Sequence, residues 1–194
     1  MVIRRAREED AEAILDIYTP YVLNTAITFE YTPPTIKEMR SRIQERKEKY
    51  PFIVLEDEGK IVGYAYLSPF KKREAYDWSA ETSIYLDSSL RGKGYGTVLL
   101  NALEKEAGKM NLLSLDACIA VPREESRYLT DQSRQFHEKR GYKTVAHFPF
   151  SGYKFGTWFD MIWMEKWIAP HPAKPEAMIP FPELPEEMVE RCLR

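Results

Sequence analysis

Thr82-Ser83-Ile84-Tyr85-Leu86-Asp87-Ser88-Ser89-Leu90-Arg91-Gly92-Lys93-Gly94-Tyr95-Gly96 is the stretch whose reading decides the fold. Residues 78–86 are rich in aromatic and β-branched side chains and read as a strand. Residues 91–96 are a glycine-rich turn. Beyond it, Val98, Leu99, Ala102, Leu103 and Ala107 recur as one helical face that is expected to stop near Gly108. Strand, glycine turn and helix thus follow one another. Glycines let the backbone approach a ligand closely, and the unpaired N–H groups of a helix's first turn point at whatever lies there, which favours a phosphate or pyrophosphate. Arg91 and Lys93 add positive charge, although backbone N–H groups can carry most of the contact. The same glycines would also serve a bare strand-to-helix turn.

Working outward, residues 2–6 read as a short strand, and Asp10, Ala13, Ile14, Ile17 and Tyr21 keep helical spacing up to a disturbance at Pro20. A second helix is expected over 35–49. Two apolar runs, 52–55 and 61–67, flank Glu56-Asp57-Glu58-Gly59-Lys60 and read as a β-hairpin, with Gly59 supplying a positive φ. Residues 71–77 form a polar loop. After the helix, 112–120 is an apolar strand, 130–140 a short helix ending at Gly141, and 142–150 and 158–167 two closing strands. The order is β-α-α-β-β-β-α-β-α-β-β, an α/β (α+β) arrangement of one domain over 1–168. From Ala169 onward, six of the chain's 13 prolines fall within 26 residues, so 169–194 is expected to be an extended tail.

Composition narrows the function. The 28 Lys plus Arg against 30 Asp plus Glu give a net charge of -2, which offers no broad cationic field for nucleic acid. Cys118 and Cys192 form neither a disulfide framework nor a CxxC pair, and free thiols fit a reducing compartment. The N-terminus becomes charged before a signal-peptide core could form, and no apolar run approaches a membrane span, so a cytoplasmic protein is expected. His147 and His171 have no His, Cys or carboxylate at ligand spacing, and no metal is assigned. A Walker loop needs GxxxxGK followed by Ser or Thr, which is absent. A Rossmann turn needs a third glycine where Thr97 stands, and would follow the first strand rather than the fourth.

Arg91-Gly92-Lys93-Gly94-Tyr95-Gly96 instead resembles the [Gln/Arg]-x-x-Gly-x-[Gly/Ala] pyrophosphate loop of the GNAT acyltransferase superfamily, which cradles coenzyme A at the same strand-to-helix position. Ser133-Arg134-Gln135-Phe136-His137-Glu138-Lys139-Arg140-Gly141-Tyr142 is similar to the pattern after that family's fifth strand, with His at the usual Tyr position. Ala75-Tyr76-Asp77-Trp78-Ser79-Ala80-Glu81-Thr82-Ser83-Ile84-Tyr85, Gly152-Tyr153-Lys154-Phe155-Gly156-Thr157-Trp158 and Thr28-Phe29-Glu30 resemble the phosphinothricin / methionine sulfoximine acetyltransferases within it. The resemblance runs from about Val2 to Trp167. It implies a GNAT fold, with a mixed, mainly antiparallel sheet of six to seven strands flanked by about four helices. It also implies acetyl-CoA as cosubstrate, a small amino-acid-like amine as acceptor, direct transfer in a ternary complex, and a homodimer.

The chemistry can be placed on residues. Acetyl transfer needs a neutral amine and an acceptor for the proton it loses. Strand alternation puts Glu81, Ser83 and Tyr85 on one face and Thr82, Ile84 and Leu86 on the other, which places Glu81 beside the thioester if the backbone of 84–86 lines the cofactor. Glu81 is therefore the candidate base, through burial or a water relay; a strand carboxylate facing solvent is its alternative. The resemblance implies the same role at the matching Glu and makes His137 the candidate acid for the leaving thiol; a lone His is otherwise a surface or core residue. It assigns Ile84, Tyr85, Leu86, Arg91, Gly92, Lys93, Gly94, Tyr95, Gly96, Thr97, Thr130 and Ser133 to the cofactor, Thr130 standing where relatives often carry Asn. An acidic headgroup calls for cations and aromatics, so Phe29, Glu30, Arg73, Tyr76, Trp78 and Lys154 are the substrate candidates, with Lys71 and Lys72 nearby. The loop 121–129 is longer than its counterpart in relatives that detoxify herbicides, so substrate access is expected to differ. An acyl-CoA-binding sensor without catalysis and a peptide N-acetyltransferase are the alternatives. Glu81 and His137 argue against the first, and the loop 75–81 against the second.

Overall fold

The structure is a computed structural model that describes residues 1–90 and 92–185. The elements are β1 (Val2–Arg5), α1 (Ala11–Asn24), α2 (Ile36–Lys47), β2 (Phe52–Asp57), β3 (Lys60–Pro69), β4 (Ser79–Leu86), α3 (Tyr95–Lys109), β5 (Ser114–Val121), α4 (Gln132–Glu138), β6 (Lys143–Lys154) and β7 (Thr157–Trp167). Their order is the one the sequence predicts. The chain divides into two compact units, one of residues 1–17, 34–115 and 167–194, the other of 18–33 and 116–166.

In the first unit the strands run β1-β2-β3-β4, each antiparallel to its neighbour. The β2–β3 turn is Glu58-Gly59 with both φ positive, 50° and 77°, the two-residue turn whose twist suits a hairpin. Helix α2 starts at a capping box: the Thr35 hydroxyl accepts the Glu38 N–H, and the Glu38 carboxylate accepts the Thr35 N–H. Helices α2 and α3 take opposite faces of these strands: Arg46 of α2 lies over Tyr66, while Leu99 of α3 reaches the Gly63 side of β3. Helix α3 ends at Lys109, next to Gly108 where the stop is expected. Gly108 stays helical, and Asn111, at φ 63°, makes the left-handed stop, with the Leu112 N–H returning to the Ala107 carbonyl at 3.1 Å.

The proline-rich segment is docked on this unit. The Trp78 indole donates to the Glu176 carbonyl (2.7 Å), the Asn111 amide to that of Ala177 (2.9 Å), and the Phe181 N–H to that of Lys49 (2.9 Å). A single 3₁₀ turn, Phe181–Glu183, buries Phe181 beneath the Arg5 guanidinium, 4.5 Å from the ring centroid. Residues 186–194, Cys192 among them, lie outside the described residues.

In the second unit the strand order is β5-β7-β6. Strand β6 runs past the predicted end at 150, through an irregularity between Phe148 and Gly152, to a hairpin turn at Phe155-Gly156, again with both φ positive. Ala26, Ala120, Leu129 and Phe159 form the buried centre, against which Phe29 and Tyr128 pack. Helix α1 does not stop at Pro20 but continues to Asn24, because its apolar face, which includes Ile14, Tyr18, Tyr21 and Val22, is buried along its whole length.

Candidate active site

In the first unit, β3 and β4 are in register with Tyr64 opposite Tyr85, Tyr66 opposite Ser83 and Ser68 opposite Glu81. Cross-strand partners share a face. Phe52, Tyr64, Tyr66 and Tyr85 therefore form a stacked aromatic floor, with centroids 5.0 Å apart for Phe52–Tyr66 and 5.2 Å for Tyr64–Tyr85. Glu81 lies on that face. Burial raises its carboxyl above the ordinary glutamate value, with the positive charges of Lys71 and Arg46 pulling the other way. The outcome is a carboxylate more basic than one in water, in an aromatic setting with two cations in electrostatic reach. Its position was legible from strand alternation. Arg46 was not, because a basic residue in the last turn of α2 reads as ordinary helix-end charge.

Strand β4 leads directly into the glycine turn. Asp87 opens it: its N–H donates to the Val62 carbonyl (2.9 Å) and its carboxylate accepts the Ser89 N–H (2.9 Å) and hydroxyl (2.7 Å). Gly92 and Gly94 have φ of 82° and 84°, a region that side chains other than glycine enter with strain. Gly94 is the residue before α3, and no side chain caps that helix among the described residues. A Cβ placed on Gly92 or Gly94 would meet nothing within 4 Å, so the glycines serve backbone conformation and open approach. The Tyr95 hydroxyl donates to Asp57, which anchors that side chain and keeps the residue's contribution to its backbone N–H. An uncapped helix start behind two left-handed glycines fits a pyrophosphate. Arg91 lies outside the described residues.

In the second unit, His137 on α4 is 8% exposed, and the Phe136 and Tyr142 rings approach it edge to face at 5.1 Å. Its Nδ1 lies 2.8 Å from the Ser133 carbonyl. A carbonyl only accepts, so Nδ1 carries the proton and Nε2 the lone pair. Burial lowers the His137 pKa, opposed by the Ser133 bond and reinforced by Arg140. The Ser133 bond leaves Nε2 as the ring nitrogen through which His137 would exchange a proton. Ser133 contributes its carbonyl, and Thr130 is exposed one residue before the start of α4's cap at Asp131.

The substrate candidates divide. Arg73 and Tyr76 are exposed on the loop before β4, where a 3₁₀ turn at Glu74–Tyr76 sets the Tyr76 ring edge-on to Phe70. Trp78 has given its one N–H to the tail. Phe29 packs on Phe159 with centroids 6.5 Å apart, and Glu30 follows it. Lys154 is 2% exposed, and its ammonium donates to the carbonyls of Val22, Thr25 and Thr28, each at 2.8 Å. With all three donors used, its ammonium is not available to hold a substrate anion. His147 also departs from expectation: it bonds Asp160 at 2.8 Å, a carboxylate shared with Arg123 and the Phe150 N–H. Among the described residues no group of three or more His, Cys, Asp or Glu is disposed to hold a metal, and no helix is long and apolar enough to cross a membrane.

Comparison with known proteins agrees with this geometry. The family model described as an acetyltransferase (GNAT) domain matches residues 3–163. The chain is 32% identical over 174 residues to a phosphinothricin N-acetyltransferase of Streptomyces viridochromogenes, covering 89% of this chain and 91% of that one. It is 31% identical over 178 residues to an L-methionine sulfoximine/L-methionine sulfone acetyltransferase of Salmonella typhimurium, covering 91% and 99%. Among solved structures, a GNAT superfamily phosphinothricin acetyltransferase from Sinorhizobium meliloti in complex with AcCoA superposes with a TM-score of 0.81 at 33% identity, covering 90% of this chain and 92% of that one. With the strand, the glycine turn and the uncapped helix in the places that cofactor requires, the chain belongs to the GNAT acetyltransferase family.

Proposed function

We propose that this enzyme moves the acetyl group of acetyl-CoA directly to the amino group of a small amino-acid-like substrate of the phosphinothricin or methionine sulfoximine/sulfone type. The observation that carries the proposal is Glu81, a carboxylate of raised basicity on the strand that runs into the glycine turn. Such a group is what amine acetylation demands and what a passive acyl-CoA sensor has no use for. The names of the relatives support the substrate class.

In this reading the backbone N–H groups of the turn and of Tyr95, Gly96 and Thr97, with Arg91 and Lys93, hold the pyrophosphate, while the backbone of Ile84, Tyr85 and Leu86 aligns the acyl arm. Thr130 and Ser133 complete the cofactor contacts. When bound, acetyl-CoA supplies a thioester carbonyl carbon open to attack by an amine. Glu81 accepts the proton that the amine gives up as the N–C bond forms and the C–S bond breaks, and the proton it then holds is the one the leaving sulfur needs. His137 is the candidate acid that relays this proton to the leaving thiolate through Nε2. Lys71, Arg73 and Tyr76 meet the acidic headgroup, and Phe29 and Glu30 contact the amino-acid portion. Trp78 and Lys154 act through the backbone they hold.

A second copy of the chain is assigned to the β6–β7 hairpin, where Val145, Phe148, Phe150, Tyr153 and Trp158 are all exposed. Sedimentation at micromolar concentration tests this, and a monomer there removes it. The enzymatic proposal is tested by following free thiol with acetyl-CoA and a panel of glutamate and methionine analogues. Turnover of oxyanion- or sulfone-bearing amino acids is expected, and its absence with every amine refutes the reading. The Glu81→Gln variant should keep CoA affinity while losing rate.

A further inference from the structure

We infer that Lys154 and Gly152, at the end of β6, are positioning residues that fix residues 25–30 and thereby set which amine side chains the enzyme accepts. The inference rests on the reading that Phe29 and Glu30 contact the substrate.

Helix α1 ends at Asn24, so the Val22 carbonyl is among those left without a partner inside the helix, and the carbonyls of Thr25 and Thr28 lie beyond it. The ammonium of Lys154 satisfies one acceptor in each place, and its charge also suits a helix C-terminus. Burial lowers its pKa and Glu30 raises it. Three acceptors at 2.8 Å need three N–H bonds, which only the protonated form has. Burying an ammonium is costly, and one aimed wholly at backbone carbonyls has a single effect, which is to define the path of the chain that supplies them.

Gly152 does for the ring what Lys154 does for the backbone. Its pairing with Phe159 places it under Phe29, so closely that a Cβ there would lie 2.2 Å from Cζ and 2.3 Å from Cε2 of that ring. The ring rests on bare backbone. Further bonds complete the seat: Tyr18 to Thr28 through their hydroxyls at 2.8 Å, and the Ala26 N–H to the Tyr128 carbonyl at 2.9 Å. The position of Phe29 is therefore set by two residues that themselves need not touch substrate.

The atoms that a Cβ at Gly152 would meet are the far edge of a side chain, so Gly152→Ala displaces the ring by about 1 Å or more and leaves the backbone in place. The experiment compares the full-length wild type, Gly152→Ala and Lys154→Met for kcat and KM with methionine sulfone and with a small amino acid such as alanine, together with KM for acetyl-CoA and Tm. The expected result is a change of about tenfold or more in the kcat/KM ratio between the two amines, carried by KM, with KM for acetyl-CoA within about twofold of wild type. Gly152→Ala/Phe29→Leu should recover the Tm lost by Gly152→Ala while leaving selectivity altered. If Lys154→Met does not accumulate as folded protein, Gly152→Ala decides the matter by itself. Equal loss for both amines, or no loss, overturns the inference while leaving the enzymatic reading intact; a wild type that turns over neither these nor any other amine removes both.

Discussion

Replacing Glu106 by Gln should stabilise the protein increasingly as pH rises. Glu106 sits on the buried face of α3 with 0% exposure, and neither of its carboxyl oxygens accepts a hydrogen bond. Burial pushes its pKa from 4.5 up to about 7, with the charge of Arg5 opposing the rise. The folded state therefore holds this proton more tightly than the unfolded chain does. Below the unfolded value both states are protonated and the group is neutral to stability. Between about 4.5 and about 7 the unfolded chain ionises and the folded one resists, so folding loses about 1.4 kcal/mol per pH unit. Above that range the loss is constant at about 3 kcal/mol. A glutamine of the same shape carries no such term, so the stability difference between variant and wild type should be small at pH 4.5 and reach about 3 kcal/mol in favour of the variant by pH 8. Urea unfolding followed by tryptophan fluorescence at pH 4.5, 6, 7 and 8 measures it. A difference that stays flat within about 0.5 kcal/mol across that range refutes the argument.

Other outcomes follow from the same structure. Because burial raises Glu81, the acidic limb of kcat/KM should rise with pH at a midpoint above the ordinary glutamate value, and Lys71→Met should move that midpoint higher by removing a charge that favours the carboxylate. In Glu81→Gln that limb should vanish, with a rate loss of about 10²- to 10⁴-fold; a pH profile that survives the substitution rejects Glu81 as the base. Gly94→Ala should cost about 1–2 kcal/mol of stability through its φ of 84° and weaken CoA binding in calorimetry, and unchanged affinity would count against the turn as the pyrophosphate site. Phe181→Ala should lower stability by about 3–5 kcal/mol, read from denaturant midpoints, if the tail is part of the core.

Where local chemistry governs structure, the sequence was a good guide. Gly59, Gly92 and Gly94 adopt the left-handed backbone their type allows, and Glu81 lies on the strand face that alternation assigns. What escaped prediction depends on contacts remote in sequence. Pro20 reads as a helix end, yet burial of the apolar face holds α1 together beyond it. Gly108 looked like the stop for α3, but Asn111 takes the left-handed position. The irregularity after Phe148 breaks alternation and hid the last residues of β6, Lys154 among them. A lone Lys in a strand gives no sign that three carbonyls await it, and nothing in Trp78 or Phe181 announces that the tail carries a partner for one and a seat for the other. His137 was visible as a candidate, but its tautomer depends on a carbonyl one helical turn away.

The docked tail also bears on how the molecule is made. Synthesis proceeds from the N-terminus, so Arg5 has left the ribosome long before Phe181, the ring it will cover, has been added. Until Phe181 has been added, the nascent chain carries Arg5 and the Lys49 carbonyl without the residue that engages both. A chain deprived of Phe181 would keep Glu81 and the glycine turn and still expose the place that ring covers to chaperones and proteases, so the docked segment ties the lifetime of the product in a cell to contacts far from its chemistry.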